Sequence, residues 1–338
     1  MPQIDISQLD IHARLMAEEA KRRGYHLRTI DRTYPINTLS PLLVVEKDDH
    51  RFLLSEAVSH LSSYLGRMIA MDKIRTYDIL ASHHLPIPKT FILRRNQALQ
   101  RDAIAFLEDY APIVVKPSNT NHGDGITIGI SHEYKLQQAV DYAHHKSSTA
   151  DILLQQTAMG QEYRFLVLGT CVIAVANRRP PSVVGDGRRT IEALIDEANT
   201  DPRRGGSHLS AMSKISKQEV AYAIGNERLS EVLANGQRLE ILKTSNLSRG
   251  GEATNYTDAA SDTLKDMAVR AAQACFLEFA GVDIMTTSID AGDETNSVVI
   301  EVNVSPGIRM HQLPAHGTPI DVAAIIFDYL EARQHTLS

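Results

Sequence analysis

Near the C-terminus two strand-like segments, GVDIMTTSID at 281–290 and SVVIEVNV at 297–304, flank the turn-rich AGDETN. A hairpin here fixes which side chains share a face, because strand side chains alternate with a period of two. With the turn symmetric about Asp293, Asp283 falls opposite Asn303, and Glu301 shares that face. Two carboxylates and an amide oxygen then meet inside an otherwise apolar sheet. Like charges so close repel and desolvate badly unless a cation lies between them. Hard oxygen donors with room for water and phosphate suit Mg²⁺. Asp283, Glu301 and Asn303 are therefore candidate metal ligands. The plainer reading, a hairpin with one solvated face whose acids do nothing, is a single register slip away.

A second feature is Lys116, which closes the apolar run PIVVKP and precedes the loop SNTNHGDG. Burying an ammonium is costly unless an anion meets it. The loop, with Ser118, Asn121, Gly123 and Gly125, is small and flexible enough to turn backbone N–H groups toward phosphate oxygens. Its spacing is not that of a P-loop, and none occurs elsewhere in the chain. Third, ILLQQTAMGQEYR sets Gln155, Gln156 and Glu162 around a strand end. Alone, that is an exposed strand terminus.

The remaining segments alternate in character. Residues 8–23 carry helical spacing that stops at Gly24; YHLRTID reads as a strand, and PLLVVE with RFLLSE as a hairpin about Asp48 and Asp49. A helix starts near Asp72 and is broken by the prolines of LPIPKT. FIL, a helix near 97–109, PIVVKP, ITIGI, a helix at 132–146 and ADILLQQ follow. EYRFLVLG and CVIAVANR then form an antiparallel pair, VVGDG a turn and TIEALIDEAN a helix. RRGGSHLSAMSKIS reads as a mobile loop, and a helix at 263–280 closed by Gly281 leads into the final hairpin. Helices and antiparallel strands in successive blocks predict an α+β chain. The divisions expected are a small α/β lobe at 1–71, a lobe at 72–157 with the lysines and glycine loop, and a lobe at 158–338 with the metal ligands.

Composition narrows the function. With 43% hydrophobic and 22% charged residues, the 338-residue chain has the balance of a globular protein. A net charge of −6 argues against a general nucleic-acid binder. No apolar run is long enough to span a bilayer, and the N-terminus lacks a secretory layout, so the expected location is the cytoplasm. Cys171 and Cys275 are expected as small core residues. Of the 14 histidines, the pairs His83–His84 and His144–His145 point in different directions along a helix and suit no single metal; His122 and His311 are better placed to touch a ligand.

Taken together and in this order, the three features resemble the ATP-grasp superfamily. EVNVSPGIRMHQLPAHGTP, VVGDGRRTIEALIDEANTDPRRG and SNLSRGGEATNYTD look like the ATP-grasp domain of cyanophycin synthetases, and the middle blocks also resemble the glutathione-synthetase half of bifunctional glutamate–cysteine ligase/glutathione synthetases. The resemblance covers about 72 to 330 and implies an ATP-grasp fold, two α+β lobes gripping ATP. It implies that Lys73 and Lys116 hold phosphates, that Ser118 to Gly125 close over them, and that Gln155, Gln156 and the Ala158 backbone border adenine. Gln155 stands where an acidic residue is frequent. Glu162 would take the ribose, and Asp283, Glu301 and Asn303 the Mg²⁺. Arg178, Arg204, Arg309 and Lys243 are the implied catalytic cations; Arg164, Asn246, Ser305, Gly307 and His311 the implied substrate ligands. The activity implied is ADP-forming carbon–nitrogen ligation of an amino acid or short-peptide carboxylate to an amine. Partners are then small molecules, with no nucleic acid or membrane, and a homodimer is left open. No Mur-ligase-like half follows, so a two-amino-acid polymerase cycle in one chain is not expected. The alternatives are a ligase joining γ-glutamylcysteine and glycine, and an ATP-binding regulatory protein.

Overall fold

The computed structural model describes residues 4–29, 41–57, 61–95, 97, 99, 101–120, 124–206, 209–242 and 245–334. Helices and largely antiparallel sheets alternate along it, the expected α+β pattern. Two compact units form from interleaved segments: Met1–Leu61, Ile173–Asp258 and Ser305–Ser338 in the first, Ser62–Val172 and Ala259–Val304 in the second. The segment 72–157 lies within the second unit, whereas 1–71 and 158–338 are each shared between the two.

In the first unit, Asp10 caps the helix Ile11–Arg22 by accepting from the His12 amide at 2.8 Å, and Gly24 at φ +81° ends it. Strands His26–Thr29, Leu42–Lys47 and His50–Ser55 form an antiparallel sheet. One face of the hairpin carries Leu43, Val45, Phe52 and Leu54, all buried. The last helix, Val322–Gln334, helps to cover this segment: Phe327 lies 6.1 Å from Phe52 and 5.6 Å from Tyr25, ring to ring. Arg23 pairs with Glu19, Asp328 and Glu331 across the same two helices. The N-terminal segment therefore closes its core with the chain's other end.

The same unit pairs Ala176–Arg179 with Glu252–Asn255, and gathers the helices Ile191–Ala198 and Lys217–Ile224 around Ile195, Val220, Leu233 and Ile241. The stretch expected as a mobile loop contains the short parallel strands Arg204–Gly205 and Met212–Ser213. Arg14 and Arg309 donate to its Leu209 and Ser210 carbonyls. Cys171 is exposed, against the core placement expected of it, because it opens a strand beside the tight turn at Gly169; Cys275 is buried.

The second unit has a four-stranded antiparallel sheet in the order Thr90–Leu93, Ile152–Gln156, Ile113–Pro117, Thr127–Ile130. Its core face carries Ile113, Val115 and Leu154 against the helices Arg101–Tyr110 and Glu133–Lys146. The strands Gln161–Leu168, Phe279–Thr286 and Ser297–Asn303 pair antiparallel in that order, with the helix Asp262–Ala274 packed on them. That helix ends at Cys275 rather than near 280: Phe276 reverses the chain at φ 56°, and the apolar run from Phe279 is extended, so Gly281 lies inside a strand. A helix the sequence did not announce, Tyr64–Ala70, is capped by Ser63.

Gly160 shows how tightly the strands are joined. Its φ is +103°, and a Cβ there would stand 2.0 Å from the Thr286 carbonyl oxygen. Gly160→Ala is expected to cost about 3 kcal/mol through backbone strain and the clash. Urea denaturation should show a lowered midpoint with an unchanged slope; a curve superimposable on the wild type would contradict this packing.

Candidate functional site

The final hairpin differs in register from a turn centred on Asp293. Gly281 opposes Asn303 and Asp283 opposes Glu301, so the acids face each other directly. The face survives the correction, because a shift of two residues leaves every side chain on its own side. Between Asp283 and Ile284 the register slips, since Ile284 opposes Val299; Ile300 is the extra residue of a bulge. On the neighbouring strand Arg164 opposes Asp283 and Glu162 opposes Met285, which extends the same face across three strands.

Opposed strand residues have Cβ atoms about 5 Å apart, and unit charges at that distance repel by about 3 kcal/mol at an effective dielectric constant near 20. Each has a cation beside it. Asp283, 1% exposed, accepts from both Nε and Nη2 of Arg164, the latter at 2.6 Å from Oδ2. Glu301 lies at the rim of the sheet with Lys73 Nζ 3.6 Å from its Oε1. Asn303 donates from Nδ2 toward the Gly281 carbonyl at 3.4 Å and Asp283 Oδ2 at 3.5 Å. Arg164, expected as a substrate ligand, is here the counter-ion of a buried acid.

Lys73 opens the helix Lys73–Ser82, which Asp72 caps, and Tyr77 follows one turn later on the same face. Burial lowers the Lys73 pKa, Glu301 opposes that shift and Lys116 adds to it. Its ammonium also donates to the Thr120 carbonyl. Lys116 Nζ donates to the Tyr77 hydroxyl at 3.0 Å and lies 5.4 Å from that ring's centroid. The Tyr77 hydroxyl in turn donates to the carbonyl of Ile300, the bulge residue. Tyr77 thus ties the four-stranded sheet to the acidic hairpin, a part that sequence reading did not assign. The helical spacing from Lys73 was the available signal.

The strand period puts Gln155 on the Lys116 face, buried, with Nε2 donating to Thr90 Oγ1 at 2.8 Å. Its amide is engaged inside the unit, while Gln156 is exposed and Ala158 and Glu162 are half-buried. Ser118 is buried and bonded on both sides: its amide donates to the Asp151 carbonyl at 2.9 Å, and its carbonyl accepts from the Lys73 amide at 3.0 Å. Gly125, at φ +76°, sits 2.8 Å from Pro117 Cγ measured from a built Cβ, so the loop's exit requires glycine. Asn121, His122, Gly123 and Lys243 lie outside the described residues.

The other candidates belong to the first unit. Arg204, 6% exposed, donates to the Ser213 and Gly250 carbonyls, each at 3.0 Å, and to Glu252. Arg178 is half-buried opposite Ala253. Asn246 accepts from the Ser248 amide and hydroxyl, holding a short turn. Ser305 is exposed, Gly307 half-buried, and Arg309 and His311 buried. Burial lowers the Arg309 pKa, and Asp10 partly offsets the effect. Among the described residues no helix is long and apolar enough to cross a membrane, and no group of three or more His, Cys, Asp or Glu could hold a metal. The acidic hairpin would have to count its amide oxygen as a donor.

The family of this arrangement is known. The sequence signature of the RimK-like ATP-grasp domain matches residues 70–191 and 222–330, and the chain belongs to that family. It is 35% identical over 285 residues to a cyanophycin synthetase of Synechocystis, covering 83% of this chain and 32% of that protein. It is 30% identical over 334 residues to the glutathione biosynthesis bifunctional protein GshAB of Clostridium perfringens, covering 97% of this chain and 42% of that one. The chain thus spans less than half the length of these relatives. The solved bifunctional glutathione synthetase of Pasteurella multocida superposes with a TM-score of 0.74 over 97% of this chain and 45% of its own, at 24% identity, which shows the ATP-grasp fold.

Truncating one member of the buried pair isolates its role. Arg164→Met leaves Asp283 buried without its guanidinium and is expected to destabilise the fold by about 3–5 kcal/mol. The double variant Arg164→Met, Asp283→Leu should recover much of that loss in chemical denaturation. A double variant as unstable as the sum of the single ones would show that the two groups do not act as a pair.

Proposed function

We propose that the chain is an ATP- and Mg²⁺-dependent carboxylate–amine ligase that forms an amide through an acyl phosphate. The observation that carries this reading is the directly opposed Asp283–Glu301 pair with Lys73 and Lys116 gathered beside it in one unit. Asp283, Glu301 and Asn303 share one face and carry hard oxygen donors, a set whose chemistry fits Mg²⁺. When bound, the ion would neutralise charge on the phosphate oxygens.

The protein's own part is positional and electrostatic. Lys73 and Lys116 hold phosphate oxygens. Lys73 occupies a helix's first turn, where the dipole disfavours a cation, and its charge is further disfavoured by burial. An arriving polyanion relieves both. A substrate carboxylate oxygen attacks the γ-phosphorus in line, and the bond to the β–γ bridging oxygen breaks to release ADP. The amine then attacks the acyl carbon, inorganic phosphate leaves, and the amine's surplus proton passes to solvent. Arg178, Arg204, Arg309 and Lys243 are the cations assigned to the acyl and phosphoryl charge; Asn246, Ser305, Gly307 and His311 are assigned to substrate.

The substrates are an amino acid or short-peptide carboxylate and an amine, a reading that likeness to cyanophycin synthetase supports. The second reading, γ-glutamylcysteine joined to glycine, is favoured by a match that runs through 97% of this chain and so takes in most of its first 70 residues. Mass spectrometry of products from Mg-ATP with aspartate, arginine, short peptides, or γ-glutamylcysteine and glycine separates the two. Phosphate release independent of every added amino acid would instead favour a regulatory ATP-binding protein.

With ¹⁸O in the substrate carboxylate, label is expected in the released phosphate; label in AMP, or pyrophosphate among the products, would overturn the mechanism. Glu301→Ala and Asn303→Ala should lower kcat by about a hundredfold or more, beyond the loss of Mg²⁺-dependent nucleotide affinity, since their oxygen contacts matter most as the transition state forms.

A further inference from the structure

The N-terminal helix, outside the matched family region of 70–191 and 222–330, reaches the segment that follows the acidic hairpin. His12 Nδ1 accepts from two successive backbone amides, Ile308 at 3.1 Å and Arg309 at 3.3 Å. Accepting at Nδ1 leaves the ring's proton on Nε2. The imidazole also lies close against Gly307: a Cβ built there would stand 2.7 Å from Cε1 and 3.1 Å from Nε2. Only glycine allows that approach. One residue before the helix, Asp10, 6% exposed, caps it through the His12 amide and supplies charge that offsets the burial of Arg309. The Arg309 guanidinium, itself 7% exposed, donates to the Ser210 carbonyl at 3.2 Å.

We propose that His12 is a positioning residue for substrate. It fixes the Gly307–Arg309 backbone, and so aims the buried Arg309 charge at the carboxylate of the amino-acid or peptide substrate. This rests on the ligase reading above and on Arg309 facing substrate. The chemistry is specific to an acceptor with in-plane geometry: an Asn side chain can place Oδ1 where Nδ1 stands, whereas Ala cannot. Gly307 is the other half of the contact, so a methyl there should displace the ring from the opposite side.

The test uses the full chain with His12→Ala, His12→Asn and Gly307→Ala, each checked for folding by circular dichroism and thermal melting. Two quantities are read: hydrogen exchange of the peptide spanning 305–312, and phosphate release from Mg-ATP with aspartate, arginine, glutamate, γ-glutamylcysteine and glycine as probes. His12→Ala is expected to speed exchange of that peptide by about tenfold and to raise the half-saturating concentration of the amino-acid probe by about tenfold, with that of ATP nearly unchanged. His12→Asn should restore both, Gly307→Ala should mimic the loss, and the double variant should add little. Unchanged exchange in His12→Ala, or equal changes for ATP and the amino acid, would overturn the proposal. A wild-type protein that releases no phosphate with any probe would sink the ligase reading and the substrate role together, whereas an active wild type with an indifferent His12→Ala sinks the proposal alone.

Discussion

The opposition of Asp283 and Glu301 across one strand pair governs the second unit. Two like charges at that separation are tolerable only with positive charge on either side, and the fold provides it from two directions. Arg164, from the adjacent strand, meets the deeper acid in a buried pair. Lys73, from a helix, meets the rim acid at 3.6 Å, a looser contact that a ligand can exchange. The deep pair therefore acts as a fixed part and the rim pair as an adjustable one.

The bulge at Ile300 follows from the same geometry. The slip beside Asp283 leaves one residue of the edge strand without an opposite number, and its carbonyl receives the Tyr77 hydroxyl. Through Tyr77 the position of Lys116, on a different sheet, is linked to that of the hairpin. Buried polar groups are costly when unmatched, so this chain of contacts fixes the relation of the two sheets more narrowly than apolar packing alone would.

Much of this was legible in the sequence, for identifiable reasons. Strand alternation put Asp283, Glu301 and Asn303 on one face even with the turn centre misplaced, because an even shift preserves faces. The bulge was not legible, since no local pattern marks it and its carbonyl's partner, Tyr77, lies 223 residues away in sequence. The Arg164–Asp283 pair, 119 residues apart, needs the register between two strands that no local pattern sets. The helix before the hairpin was read too long because Gly281 looked like a stop signal, while Phe276 took the left-handed turn instead. The first 70 residues yielded elements without a role, and His12 gains one only through contact with residues near 308. The interleaved units were hidden likewise: segments distant in sequence build each of them.

The central claim is that the acidic hairpin and the two lysines form a nucleotide site completed by a divalent cation. Isothermal titration calorimetry of ADP, with and without Mg²⁺, on the wild type and on Glu301→Ala tests it most directly. Affinity should rise markedly with Mg²⁺ in the wild type, and most of that gain should vanish in Glu301→Ala. ADP binding indifferent both to Mg²⁺ and to the loss of Glu301 would contradict the account.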